Sequence, residues 1–262
     1  MKHEGGSFFR QRGEEFGLAM GLLTRFPLPG FKTRSAATLA SAFWAYPLAG
    51  ALIGGLSAGA FWLSLSAGFS TIACVLIATA VAVLSSGGFH EDGLTDFWDG
   101  IGGGRTREAK LAIMRDSRIG SYGALALFMT LGLQVSFLVS LQHYAGAAFV
   151  MAGIVAAETA ARGTIALPAV SLTPAHQDGM GNSMARLSAG VCAAGLSFAI
   201  IIPMILLGVK AMPLIGGALL GVGLITILTW RFLGGYTGDV FGASVATARM
   251  TALGAFVLVV TP

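Results

Sequence analysis

Apolar and polar positions fall in long blocks along this chain, without the short alternation of a half-buried strand. Met1 to Glu15 is polar and is expected to be flexible or to lie on a membrane surface. Phe16 to Phe31 is apolar but too short to cross a bilayer. Its Thr24-Arg25-Phe26-Pro27 end points to a half-buried segment that stops at the prolines. Seven apolar runs follow, at about 36–63, 67–87, 119–142, 146–170, 188–209, 211–233 and 243–260, with Pro47 expected to kink the first. Uncharged runs of ~18 residues or more read as bilayer-spanning helices. Open strands cannot satisfy their backbone in lipid. The pattern therefore predicts an all-α, polytopic membrane helix bundle of about seven transmembrane helices. It reads as a single domain over 1–262, with an N-terminal interfacial segment at 1–35 and a polar motif segment at 88–118.

Composition strengthens this reading. Hydrophobic residues make up 55% and charged residues 11% of the 262 positions, and the mean hydropathy is +0.79. The 38 glycines suit membrane helices that approach closely. Cys74 and Cys192 both lie in apolar runs and form neither a disulfide framework nor a zinc spacing. No cleavable signal peptide is expected, because the first fifteen residues lack an apolar core.

A basic balance can signal nucleic acid, but here the location of the charges argues against it. Thirteen of the sixteen Lys and Arg residues fall in the N-terminal segment and in the connections near 88–118, 171–187 and 231–242. By the positive-inside rule, this side and the N-terminus are expected to face the cytoplasm, with membrane lipid as the surrounding partner. Every motif-like loop then shares one compartment.

Half of the twelve acidic residues lie between Glu91 and Asp116. Asp92, Asp96 and Asp99 are spaced i, i+4 and i+7, so a helix would project all three carboxylates from one face. Such a face repels itself unless a cation neutralises it. Carboxylates without thiols favour a hard ion, Mg2+ or Mn2+. A solvated acidic face is the plain alternative. His90 is a candidate ligand, general base or helix-end residue.

Gly102, Gly103 and Gly104 follow, where converging backbone N–H groups could hold an anion, and Arg105 adds charge. Arg115, Asp116, Ser117 and Arg118 form a second polar turn that could hold phosphate or sit at the membrane edge. Together these features point to phosphoryl-group transfer, which depends on positioning and charge neutralisation. Asp239, in a glycine-rich stretch, is either a helix cap or a fourth acidic contribution to the metal cluster. Within one span, Glu158 and Arg162 are four apart and are expected to pair or to line a polar cavity.

The stretch from Gly87 to Gly123 fits G-G-x-H-x-D-G-L-x-D-x-x-D-G, then G-G-G-R, then M-x-D-S-x-x-G. With "TRFPLP" near the start, "YPLAGALIGG" at 46–55, "DGMGNSM" at 178–184 and "GGYTGD" at 234–239, the chain resembles the cobalamin synthase family, adenosylcobinamide-GDP ribazoletransferases. The resemblance implies that a ribose hydroxyl of α-ribazole, or of its 5′-phosphate, attacks the corrinoid-bearing phosphorus of adenosylcobinamide-GDP. GMP leaves, with Mg2+ assisting. It places His90, Asp92, Asp96 and Asp99 at the centre, with Arg105, Asp116, Ser117 and Asp239 in support. It leaves a homo-oligomer open. After Gly242-Ala243 the family usually carries glutamates, whereas Ser244 to Arg249 holds no acid here.

Two other classes compete. A CDP-alcohol phosphotransferase needs Ala-Arg after D-x-x-D-G, but Ile101-Gly102-Gly103 follow Asp96 to Gly100. A cation transporter would place its acids near the midplane rather than beside glycines and arginines in a loop.

Overall fold

A computed structural model describes residues 4–26, 38–176 and 182–260. Lys2, Lys32, Arg34, the prolines after Phe26 and most of the glycine patch before Asn182 lie outside the described residues. The described residues form twelve α-helices: α1 Glu4–Leu23, α2 Leu39–Ala42, α3 Tyr46–Ser66, α4 Thr71–Ser86, α5 Phe89–Gly103, α6 Arg107–Ile113, α7 Ser121–Ala145, α8 Ala147–Gly163, α9 Ala166–Ser171, α10 Ala189–Leu207, α11 Ala211–Leu233 and α12 Gly238–Val260. Among the described residues there is no named strand, only an isolated bridge between Pro174 and Tyr236.

Five helical stretches are long and apolar enough to cross a membrane: Leu39–Ser66, Ser121–Ala145, Ala147–Ser171, Ala189–Leu233 and Gly238–Val260. α4 and α5 pass that test only together, and they are bent by 88° at their junction. The described residues thus hold five such stretches, or six with that pair, where seven runs were expected. The longest stretch, at 45 residues, is divided into α10 and α11 by a 3₁₀ turn at Gly208–Lys210.

The first run also departs from expectation. Pro47 does not kink a continuous helix. The chain forms α2, then a 3₁₀ turn at Phe43–Ala45, and Pro47 sits in the first turn of α3. There its missing N–H leaves no intrahelical bond unmade. The N-terminal segment, expected to be flexible or surface-lying up to Glu15, is helical from Glu4 onward. Glu15 anchors it: its carboxylate is buried, meets Arg12 at 2.8 Å and accepts from Trp44 Nε1 at 2.8 Å.

α12 is the central helix and packs against α11, α5, α7 and α8, while α3 packs against α8 and α4. Small residues allow this closeness: Ala156, Ala157, Ala160 and Ala161 of α8 are buried, as are Ala243, Ala246, Ala248 and Ala252 of α12. The outer helices keep large apolar side chains exposed, among them Phe128 of α7, Ile205 of α10, Leu220 of α11 and Leu258 at the end of α12. On a chain of this hydropathy, such an apolar surface suits a membrane protein.

One end of the bundle collects the polar loops. Arg107 Nε donates to the Leu233 carbonyl at 2.6 Å, closing the end of α11. Ala175 N donates to the Tyr236 carbonyl at 2.9 Å, and Tyr236 N to that of Thr173 at 3.0 Å. The connections after α5, α9 and α11 thus meet at this motif end.

Candidate active site

The approach to the site is a sharp turn. Gly87 and Gly88 adopt φ of +70° and +71°, a left-handed conformation that side chains disfavour. A Cβ on Gly87 would also strike the Arg25 guanidinium. The turn redirects the chain by 88°, so α5 runs across the motif end and is not one of the five spans. Glu91 and Asp92 occupy its first turn, where the positive end of the helix dipole favours them.

α5 crosses α12 at nearly backbone contact. A Cβ on Gly93 would lie 2.9 Å from the Asp239 carbonyl oxygen and 3.0 Å from Gly242 Cα. This crossing brings Asp92 and Asp96 beside Asp239, which starts α12. Thr237 Oγ1 donates to the Asp239 carboxylate at 3.2 Å and accepts from Val240 N at 3.4 Å. Asp239 and Thr237 therefore share the start of α12.

Asp92 is exposed, and Asp96 and Asp239 are half-buried. Partial burial, then the charges of Asp92, Asp239 and Asp99, raise the Asp96 pKa to about 7. The crowding expected of the one-face spacing is present, with Asp239 as the addition. Among the described residues, no group of three or more His, Cys, Asp or Glu side chains is assembled into a ready metal cage.

Asp99 has a second task. Its two carboxylate oxygens accept from Gly120 N at 2.7 Å and Gly123 N at 2.8 Å, capping the start of α7. It pins α7 to α5 and lines an open cleft with Gly103, Asp116, Arg118 and Tyr122. Asp116 and Arg118 form an exposed pair at 2.6 Å. The hydrogen bonds from Arg118 hold Asp116 down at about 2. Arg105, Arg115 and Ser117 are exposed at the same end.

The glycine run does not form the expected ring of converging amides. Gly102 and Gly103 lie inside α5, and Gly104 N donates to the Gly100 carbonyl at 3.1 Å. The end of a helix presents carbonyls, which repel phosphate. Lys110 Nζ donates to the carbonyls of Ile101 at 2.7 Å and Gly104 at 2.6 Å, confirming the polarity.

Behind the acidic face lies a buried ion network that sequence reasoning caught only in part. Glu158 and Arg162 do contact each other, through Arg162 Nη1. Arg249, inside α12, joins them: its guanidinium meets Glu158 at 3.1 Å, Glu91 at 2.7 Å and Gln134 at 2.8 Å. Glu91, Gln134 and Arg249 were missed. A lone arginine inside an apolar span was the available signal, because it demands a partner. His90 is buried beside this network, with neither ring nitrogen bonded.

A polytopic helical membrane protein with carboxylates gathered at one end is the class that fold and site define. The comparisons narrow it. The family described as CobS: Cobalamin-5-phosphate synthase matches residues 15–257, and the chain belongs to that family. It is 39% identical to the adenosylcobinamide-GDP ribazoletransferase of Shewanella oneidensis over 246 residues, covering 87% of this chain and 88% of the relative. It is 38% identical to that of Shewanella baltica over 262 residues, covering 94% and 93%. It is 37% identical to that of Mesorhizobium japonicum over 241 residues, covering 89% of each. No solved structure matches.

Proposed function

We propose that this chain joins adenosylcobinamide-GDP to α-ribazole, or to its 5′-phosphate, at the motif end of the bundle. The observation that carries the reading is the meeting of Asp92, Asp96 and Asp239 where α5 crosses α12, within a chain of this family. A ribose hydroxyl oxygen of the ribazole forms a new bond to the corrinoid-bearing phosphorus. The bond from that phosphorus to the bridging oxygen breaks, and GMP departs with that oxygen. The hydroxyl proton needs an acceptor, and Asp96 suits the task because a base titrating near neutrality is both ionised and basic enough.

A hard divalent ion such as Mg2+, held by Asp92 and Asp239, would neutralise the pyrophosphate and the departing GMP. Arg105 and Arg115, exposed at the same end, have room to meet the nucleotide's phosphates. The excess of basic residues at this end supports a cytoplasmic site in the inner membrane, with the N-terminus on the same side. Purified protein given adenosylcobinamide-GDP, α-ribazole and Mg2+ should release GMP and form the cobalamin product in equal amounts. GMP release independent of α-ribazole, or no release at all, would refute the reading. Ion flux through liposomes without transfer would favour a transporter.

A further inference from the structure

Beside the acidic crossing lies a narrow pocket of different character. Its walls are Leu22 and Leu23 of α1, Leu39, Tyr46, Phe89, Ile165, Met184 and Phe241, with Gly238 and Gly242 at its edge. Gly238 precedes Asp239, so the pocket adjoins the carboxylates. His90 also lines it, and that imidazole is 1% exposed with both ring nitrogens unbonded. The hydroxyl of Tyr46, the other polar side chain of the wall, is already engaged by the Leu39 carbonyl at 3.3 Å. Leaving a buried polar group without a partner is costly, so an apolar pocket with an idle imidazole fits a ligand that supplies the missing bond.

Pyrophosphate and guanine are poor occupants, because each brings several polar groups that these walls cannot satisfy. A flat, apolar heterocycle with a single polar ring atom is a good one. α-Ribazole is the riboside of a dimethylated benzimidazole, an apolar bicycle that keeps one ring nitrogen as an acceptor. We propose that this pocket receives the benzimidazole ring of the ribazole substrate, with His90 donating to its free ring nitrogen. The inference rests on the reaction proposed above. The ring held here would direct the ribose, and its attacking hydroxyl, toward Asp96.

The test uses the full chain in lipid nanodiscs and measures binding of α-ribazole and of adenosylcobinamide-GDP separately. Met184→Trp and Ile165→Phe fill the pocket from two walls, and His90→Gln alters its polar contact. Each should weaken α-ribazole at least tenfold. The two wall variants should bind adenosylcobinamide-GDP within twofold of wild type, which also reports that they fold. On the wild-type protein, free 5,6-dimethylbenzimidazole should compete with α-ribazole, whereas ribose 5-phosphate should not.

Failure of the free base to compete, with α-ribazole itself bound, would overturn the proposal without any variant. Wild-type ribazole affinity in His90→Gln would do the same, assigning the imidazole to buried water beside Arg162. If the wild type turns over both substrates but neither wall variant changes ribazole affinity, this inference fails and the reaction stands. If the wild type neither binds nor transfers ribazole, the reaction reading fails first.

Discussion

Glu91 and Asp92 are neighbours on one helix, and their surroundings are opposite. Glu91 is buried and meets Arg249 at 2.7 Å, in a network where Glu158, Arg162 and Gln134 compensate the charges. Asp92 is exposed, and its charge adds to those already bearing on Asp96. The same kind of side chain thus serves structure where its charge is matched and chemistry where it is not. A matched buried charge locks α5 against α12 and α8. An unmatched one is left for a cation and a substrate that bring the missing positive charge.

The comparison breaks most visibly at the exposed side. Asp92→Asn or Asp96→Asn keeps the shape and removes the charge, so turnover should fall about 100-fold or more. Circular dichroism and the melting temperature should stay near wild type. On the buried side the expectation reverses. Arg249→Met leaves Glu91 and Glu158 short of a partner and should cost about 3–5 kcal/mol of stability, read by denaturation in detergent. Replacing Glu91 by Gln together with Arg249→Met should recover part of that loss.

pH sharpens the contrast. Asp96 has its pKa raised to about 7, so it is protonated below that value and cannot take a proton. The ratio kcat/KM should therefore rise with pH and then level. Because Mg2+ on Asp92 and Asp239 would offset their charges, the midpoint of that rise should lie below about 7 and move down as Mg2+ is raised. Stability runs the other way. A carboxyl with a raised folded pKa contributes stability that is present below its unfolded pKa of 3.8 and lost as pH rises through about 7. Melting of the wild type without divalent ions should decline across that window, and Asp96→Asn should remove that part of the decline.

The smallest effect concerns the glycine run. Gly103 sits in the last turn of α5, and a Cβ there would meet only Ile113 Cδ1, at 3.3 Å. Gly103→Ala should change turnover less than twofold. A drop of tenfold or more would revive the phosphate-binding role that the helix end argues against. Gly93→Ala, by contrast, should push α5 off α12 and lower activity about tenfold or more, since the Asp239 backbone cannot yield cheaply.

Hydropathy made the helical membrane class legible, and i, i+4, i+7 spacing placed Asp92, Asp96 and Asp99 on one helix. Spacing carries no information about what faces that helix, so Asp99's bonds to the start of α7 were not visible. The glycines at 102–104 were misread because a loop and the last turn of a helix look alike in composition. Lys110, six residues beyond Gly104, was the hint, as a cation placed to cap those carbonyls. Arg249 showed as a charge inside a span, but its partner Glu91 lies 158 residues away, beyond any periodic pattern. Apolar runs alone made 188–209 and 211–233 separate spans, whereas they fall in one 45-residue stretch divided by a turn, and α4, within the run at 67–87, passes the length test only together with α5.

The most direct test pairs the two neighbours in one experiment. Glu91→Gln and Asp92→Asn are prepared side by side, and each is measured for GMP release under single-turnover conditions, across a Mg2+ titration, and for melting temperature. The account predicts that Asp92→Asn melts like the wild type but releases GMP at least 100-fold more slowly, with a shifted Mg2+ requirement. Glu91→Gln should lose several degrees of stability and keep the wild-type Mg2+ requirement. Wild-type turnover and Mg2+ dependence in Asp92→Asn would contradict the account, leaving the exposed carboxylates as no more than a solvated face.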